Sequence, residues 1–356
     1  MRKPMLERQA EPVRSRVLAV TLFIAASMLA NCGGGGTSLP GPVGKPTPIP
    51  TATPTSSPCI RPCMAVEYLT PSADSGPYAI AAGADGNLWF TEQGVSKIGR
   101  ISLGGTITEF PLPTANSIPF GICAGPDGNV WFVEINGLSG DHISRITPAG
   151  TITEFADPIN GLPIAVTTGP DGNLWFAENL GGQIGMMTTA GVVTEFALPT
   201  TNPGLVDITA GPDGNLWFIE ASANKIGRIT TAGSVTEFAI PTPAAGAGRI
   251  AAGPDGNLWF TEGATSKIAR VTTVGAITEF PVPTAGSIPF GIVAGPDGNI
   301  WFVEEDGRIG KSTPAGIITE YSGAPFGSVP LGIAAGHDGN LWLTESSSNK
   351  IGKFAP

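Results

Sequence analysis

The sequence predicts an all-β fold, a seven-bladed β-propeller with four strands in each blade, and three observations predict it. First, the segment Gly253-Pro254-Asp255-Gly256-Asn257-Leu258-Trp259-Phe260-Thr261-Glu262 recurs in close copies. These place all seven tryptophans (Trp89, Trp131, Trp175, Trp217, Trp259, Trp301 and Trp342) at spacings of 42, 44, 42, 42, 42 and 41 residues. Second, each copy divides into short strand-prone runs between turn signals, the pattern of an array with one blade per repeat. Third, one surplus strand signature precedes the first copy and the last copy lacks one, as a closed ring requires.

Within one unit the elements follow in order. An innermost strand at residues 249–252 leads into Asp255-Gly256, whose residues tolerate positive φ in a tight turn. The strand-prone Leu-Trp-Phe-Thr run comes next, then a third strand at 267–271 and a fourth at 276–280. The fourth-strand signature Ile-Thr-Glu-Phe, or a near match, starts at Ile107, Ile152, Val193, Val235, Ile277 and Ile318. A seventh, Val66-Glu67-Tyr68, precedes the first blade, and the chain stops after a third strand at 350–354. Val66 to Tyr68 is therefore expected to complete the last blade and leave no sheet edge open.

Ahead of the propeller (residues 65–356), the first 32 residues read as a signal peptide. Arg2, Lys3, Arg8, Arg14 and Arg16 precede an apolar run at 17–30 that is too short for a comfortable membrane span. The run ends Leu29-Ala30-Asn31-Cys32-Gly33, which resembles a bacterial lipoprotein signal lipidated at Cys32, with Asn31 where that pattern wants a small residue. The expected location is outside the cytoplasm, as a cell-envelope lipoprotein or a secreted protein, with membrane attachment by the lipid alone. Residues 33–64 are rich in Gly, Pro, Thr and Ser and form a solvated linker, with Cys59 and Cys63 spaced for a small local disulfide. Cys123 lies in an apolar innermost strand, where a lone thiol acts as a small hydrophobe.

The net charge of −10 is mostly repetition: 21 of the 29 acidic residues are the Asp of the GxDGN turns and the Glu of the second and fourth strands. With 19 scattered basic residues there is no phosphate-binding footprint, so nucleic acid is not an expected partner. A monomer is expected. The turn Asp residues lack an EF-hand's alternating ligands, and capping of their own turns accounts for them. The second-strand glutamates, Glu92, Glu134, Glu178, Glu220, Glu262, Glu304 and Glu345, recur in every blade, which favours pairing with third-strand bases such as Lys97 and Arg100 or Lys225 and Arg228. His142 replaces a lysine at the start of a third strand and His337 a turn proline, so neither reads as catalytic. At the mouth of the central channel Tyr78, Phe120, Ile164, Phe290 and Leu331 each follow a proline, and Leu205 and Arg249 take similar places: a partly apolar ring that either receives an amphipathic ligand or packs between the blades.

The repeated GPDGNLWFTE, SKIGRI and TITEFPLPT segments, with Pro-x-Gly-Ile or Pro-x-Ala-Ile before the turns, resemble the virginiamycin B lyase (streptogramin B lyase) family of seven-bladed propellers. The resemblance implies ring opening of a cyclic depsipeptide by β-elimination at its ester. A histidine in a Pro-His-x-Ile segment removes a Cα proton while a glutamate-held magnesium ion polarises the adjacent carbonyl. Carried over by position, the two histidines fall on Phe290 and Leu331, which accept no proton. One metal-binding glutamate falls on Val329, and the other is present as Glu345.

Two expectations follow. The first is a propeller that binds a small amphipathic or cyclic peptide ligand, or a cell-envelope protein, at its mouth without chemistry or cofactor. The alternative is a magnesium-dependent carbon–oxygen lyase or a lactone hydrolase with a different base, for which Glu304, Glu345 and Tyr78 are the candidates, the two glutamates doubling as metal ligands.

Overall fold

The structure is a computed structural model that describes residues 64–136, 139–323 and 327–356. The expected signal peptide, Cys32, the linker up to residue 63 and the Cys59–Cys63 bridge lie outside the described residues. Seven four-stranded antiparallel sheets follow one another. They span residues 77–111, 118–156, 163–197, 205–239, 247–281 and 289–322 for blades 1 to 6, and 330–354 together with Met64–Leu69 for blade 7. The innermost strands touch one another in sequence all the way round, blade 7 against blade 1 included. Met64–Leu69 closes the ring by pairing with Lys350–Phe354, with Val66 opposite Lys353 and Tyr68 opposite Ile351.

Blade 5 shows why the repeat folds this way. Gly256 takes φ 74° in the turn. Asp255 Oδ1 accepts the Asn257 N–H at 3.3 Å and the Trp259 indole N–H at 3.1 Å, so one carboxylate sets both the turn and the tryptophan. Leu258–Glu262 is buried along its whole length. Trp259 stacks on Phe280 of the fourth strand with ring centroids 5.4 Å apart, and the Arg270 guanidinium lies over both rings. Arg270 Nη1 then donates to the Pro314 carbonyl of blade 6 at 3.0 Å, and Trp259 shares a core with Ile292, Ile300 and Phe302 of that blade. Each blade thus buries its apolar face against the next, the way a repeat array gains stability. The third strand, Lys267–Val271, has the expected bounds. The innermost strand, Ala247–Ala252, begins earlier and the fourth, Ile277–Pro281, lies one residue later.

Candidate functional site at the channel mouth

Every innermost strand carries a β-bulge at its mouth end. In blade 6, Pro289 pairs with Glu304 and Ile292 with Phe302, so one extra residue is inserted between them. Bulges re-aim side chains, and here they turn the residue after the proline toward its counterparts. Tyr78 of blade 1 meets Phe120 of blade 2 edge-on at 5.5 Å and Phe290 of blade 6 at 6.4 Å. Phe120 and Ile164 belong to one core cluster, against which Tyr78 packs. Phe120, Ile164 and Phe290 are buried, while Tyr78 and Leu331 are partly exposed.

Buried threonines of the second strands hold the bulges. Thr261 Oγ1 accepts the Arg249 N–H at 3.0 Å and donates to the Phe290 carbonyl at 2.9 Å. Thr344 does the same for Gly332, at 2.7 Å, and for the Tyr78 carbonyl, at 2.7 Å, which ties the last blade to the first.

Two places differ from the sequence reading. Leu205 pairs with Glu220 as Pro289 does with Glu304, so Val206, not Leu205, holds the mouth position of blade 4. In blade 5 that position is Gly248, and Arg249 stands one residue deeper. Its counterpart in blade 4 is Asp207, and the other five blades carry Ala79, Gly121, Ala165, Gly291 and Gly332 there. Small residues are required where neighbouring strands close in, since a Cβ on Gly291 would lie 2.3 Å from the Leu331 carbonyl oxygen.

Asp207 and Arg249 form an ion pair at 3.5 Å, and Asp207 Oδ2 accepts the Ile250 N–H at 2.9 Å. The Arg249 guanidinium lies 5.2 Å from the ring centroid of Tyr78 and 5.2 Å from that of Phe290, so the mouth is an aromatic clamp around one cation. Burial pushes the Tyr78 phenol and the Asp207 carboxyl up, against the pull of Arg249. The sequence held the signal for this pair: both residues stand four places before the glycine of the following turn, 42 residues apart.

The sequence matches the virginiamycin B lyase family over residues 61–305 and again over 240–356. This chain belongs to the virginiamycin B lyase family. A streptogramin B lyase structure is 36% identical with a TM-score of 0.76, covering 81% of this chain and 96% of that one. Virginiamycin B lyase from Staphylococcus aureus is 39% identical with a TM-score of 0.76, covering 82% of this chain and 98% of that one. A catalytically inactive histidine-to-alanine variant of the Staphylococcus aureus enzyme, solved with quinupristin, is 38% identical with a TM-score of 0.75, covering 82% and 98%.

In this virginiamycin B lyase-like propeller the second-strand glutamates do not bond to the lysines, as the sequence reading expected. Lys97 Nζ reaches the fourth-strand Glu109 at 2.6 Å, Lys225 reaches Glu237 at 2.6 Å and Lys267 reaches Glu279 at 2.6 Å. Arg100 and Arg228 lie over the tryptophans of their blades instead. Glu92, Glu134, Glu220 and Glu304 are fully buried with neither carboxylate oxygen bonded. Burial above all pushes Glu92 up to about 8 and Glu304 up to about 7. Glu345, pushed up by burial first and Glu67 second, accepts the Ser348 hydroxyl on Oε2 at 3.0 Å. Among the described residues, three acids close enough to share a cation meet in blade 3, at Asp157, Glu178 and Glu195, and not at Glu304 or Glu345. His142 lies opposite Glu134, and His337 meets the Gly83 carbonyl at 3.0 Å, in separate blades. Cys123 packs on the core, its thiol pushed up to about 12 by burial.

Proposed function

We propose that this is an exported propeller, lipid-anchored or secreted, that binds an amphipathic or cyclic peptide ligand, or an envelope protein, at the channel mouth without the family's elimination. The observation that carries this reading is the composition of the mouth. Its seven bulge positions are Tyr78, Phe120, Ile164, Val206, Gly248, Phe290 and Leu331, with one guanidinium, Arg249, clamped between two aromatic rings. Phe290 and Leu331, where the family resemblance puts histidine, have no atom that takes a proton, and the Tyr78 phenol is held further from ionisation than in water. A ring of apolar faces around one half-buried guanidinium, already paired with Asp207, suits a ligand that offers apolar groups and a polar carbonyl.

The family's magnesium does not fit the residues at its matched positions. Val329 offers no donor atom, and Glu345 stands with its acidic neighbour Glu67 already bonded to Lys350. The relative solved with quinupristin is likewise described as catalytically inactive, so binding without turnover has a precedent in this fold.

The test is to incubate the protein with a streptogramin B and magnesium and follow linearisation by mass spectrometry, with calorimetry in parallel. Saturable binding without product, weakened about tenfold or more by Phe290→Ala or Arg249→Ala, is the expected result. Turnover that Glu304→Gln or Glu345→Gln abolishes would instead establish the magnesium-dependent lyase, and turnover of simple lactones a hydrolase.

A further inference from the structure

Blade 3 departs from the other blades at four positions that surround one pair of carboxylates. In blades 1, 4 and 5 the fourth-strand glutamate is fully engaged. Glu279, for example, accepts the Thr242 N–H at 2.8 Å, the Thr242 hydroxyl at 2.6 Å and the Lys267 ammonium at 2.6 Å. Its counterpart in blade 3, Glu195, has lost all three donors. Ile159 stands where Thr242 does: it has no hydroxyl and gives its N–H to Asp157 instead, and Gln183 stands where Lys267 does and has no charge. Both Glu195 carboxylate oxygens are shut from solvent with no hydrogen-bond partner.

The third and fourth departures add charge and remove another donor. Asp157 replaces the buried apolar residue found as Leu112, Ile240 and Val282, whose backbone N–H makes the same bond to the residue before the third strand. Its Oδ1 accepts the Ile159 N–H at 3.1 Å and its Oδ2 the Gly161 N–H at 2.8 Å, so backbone fixes the carboxylate in place. Gly161 replaces the serine found as Ser75, Ser117 and Ser287, and a Cβ there would lie 2.8 Å from the Glu178 carboxyl carbon. Glu178 itself is 0% exposed, and neither of its carboxylate oxygens has a partner. One oxygen from each of the three acids lies within 4.8 Å of the others.

We propose that Asp157, Glu178 and Glu195 form a site for a hard divalent cation of the calcium and magnesium class, which takes the place that a lysine ammonium fills in blades 1, 4 and 5. Three carboxylates brought together away from water repel one another, and each orphaned buried oxygen is costly, so the folded blade needs positive charge at this point. Oxygen donors alone, without imidazole or thiolate, select hard cations over zinc or copper. The site lies in blade 3, apart from Glu345 in blade 7, and does not depend on whether the channel mouth turns over a ligand. Shared protons are the competing means of neutralisation.

The experiment takes the full-length protein stripped with EDTA and adds calcium or magnesium chloride against sodium chloride of equal ionic strength. Calorimetry should show one site per chain for at least one of the two cations. The melting temperature should rise by about 5–10 °C at about a hundredfold excess over Kd. Gln183→Lys restores the residue of the regular blades. It should fold at least as well without metal and lose the cation-dependent rise, and Glu195→Gln should weaken binding about tenfold or more. The proposal fails if neither cation binds the wild-type chain, or if Gln183→Lys and Glu195→Gln both keep the full rise. It also fails if acidification alone reproduces the stabilisation with no heat of cation binding, the outcome expected of carboxyls that share protons.

Discussion

The outer three strands of a blade and its innermost strand obey opposite rules. Outside, the same contacts recur almost unchanged, with Trp–Phe centroids at 5.6 Å in blade 1, 5.3 Å in blade 3 and 5.4 Å in blade 5. Inside, the mouth position runs through Tyr78, Phe120, Ile164, Val206, Gly248, Phe290 and Leu331 without repeating a pattern. The outer strands all face the same task, the seam to the next blade, and identical tasks select identical residues. Innermost strands meet around an axis where a side chain from one blade touches those of distant blades, as Tyr78 touches Phe290 and Arg249. Repetition marks scaffold and its interruption marks a candidate for function. Blade 3 applies the same lesson within the outer region, where the interrupted positions are the donors around Glu195.

The sharpest way to break this contrast is at the seam. Trp259→Ala removes a fully buried ring stacked on Phe280 and covered by Arg270, and should cost about 3–5 kcal/mol in denaturant unfolding. Phe290→Leu, at the mouth, keeps most of its volume and should cost less than about 1.5 kcal/mol while weakening ligand binding. Equal losses of stability from the two would mean that the mouth is scaffold like the rest.

The seam is legible in the sequence because its residues recur, so a tryptophan period, a turn motif and a displaced fourth-strand signature are enough to place the strands and a closing segment at Val66–Tyr68, which the structure extends to Met64–Leu69. The mouth was legible only as positions. The bulges that set its geometry leave no sequence mark beyond a proline in five of the blades, and where the proline is missing, as before Val206, nothing in the sequence separates the mouth residue from its neighbour Leu205. The glutamate pairing failed for a different reason. Lys267 stands directly opposite Glu262 in register, yet its ammonium bonds to Glu279, and the choice between the two is made by depth and by Thr242, which fixes Glu279 with two further hydrogen bonds. Neither depth nor that loop contact can be read from strand register.

Depth has a measurable consequence of intermediate size. Burial above all, reinforced by Glu279 and opposed by Thr265 and Lys267, pushes Glu262 up to about 7. A carboxyl whose folded pKa exceeds its unfolded value binds more protons in the native state between the two. Its stabilising contribution is therefore complete below the unfolded value, near about 4.5, and is lost as the pH rises through about 7. The scaffold should accordingly lose stability between about pH 5 and 8. Glu262→Gln should remove one share of that slope, about 3 kcal/mol across the window. Urea midpoints measured at several pH values would show it. A slope that Glu262→Gln leaves unchanged would mean that the buried glutamates are neutralised some other way.

The smallest expected effect lies where the two regions join. Thr261 belongs to the repeated second strand, yet its hydroxyl takes the Arg249 N–H and gives its own hydrogen to the Phe290 carbonyl, fastening two mouth residues at once. Thr261→Val keeps the shape and strands both partners, at a cost of about 1–3 kcal/mol. Val133, Ala177, Ile219 and Val303 fill the same position in other blades, so the seam tolerates an apolar residue there and the penalty should come from the mouth. Thr261→Ser, which keeps the hydroxyl and drops a methyl, separates the two contributions: it should restore ligand affinity while recovering only part of the stability. If serine restores stability but not affinity, the threonine serves the scaffold alone, and the mouth residues take their places from packing rather than from this hydrogen-bonded tie.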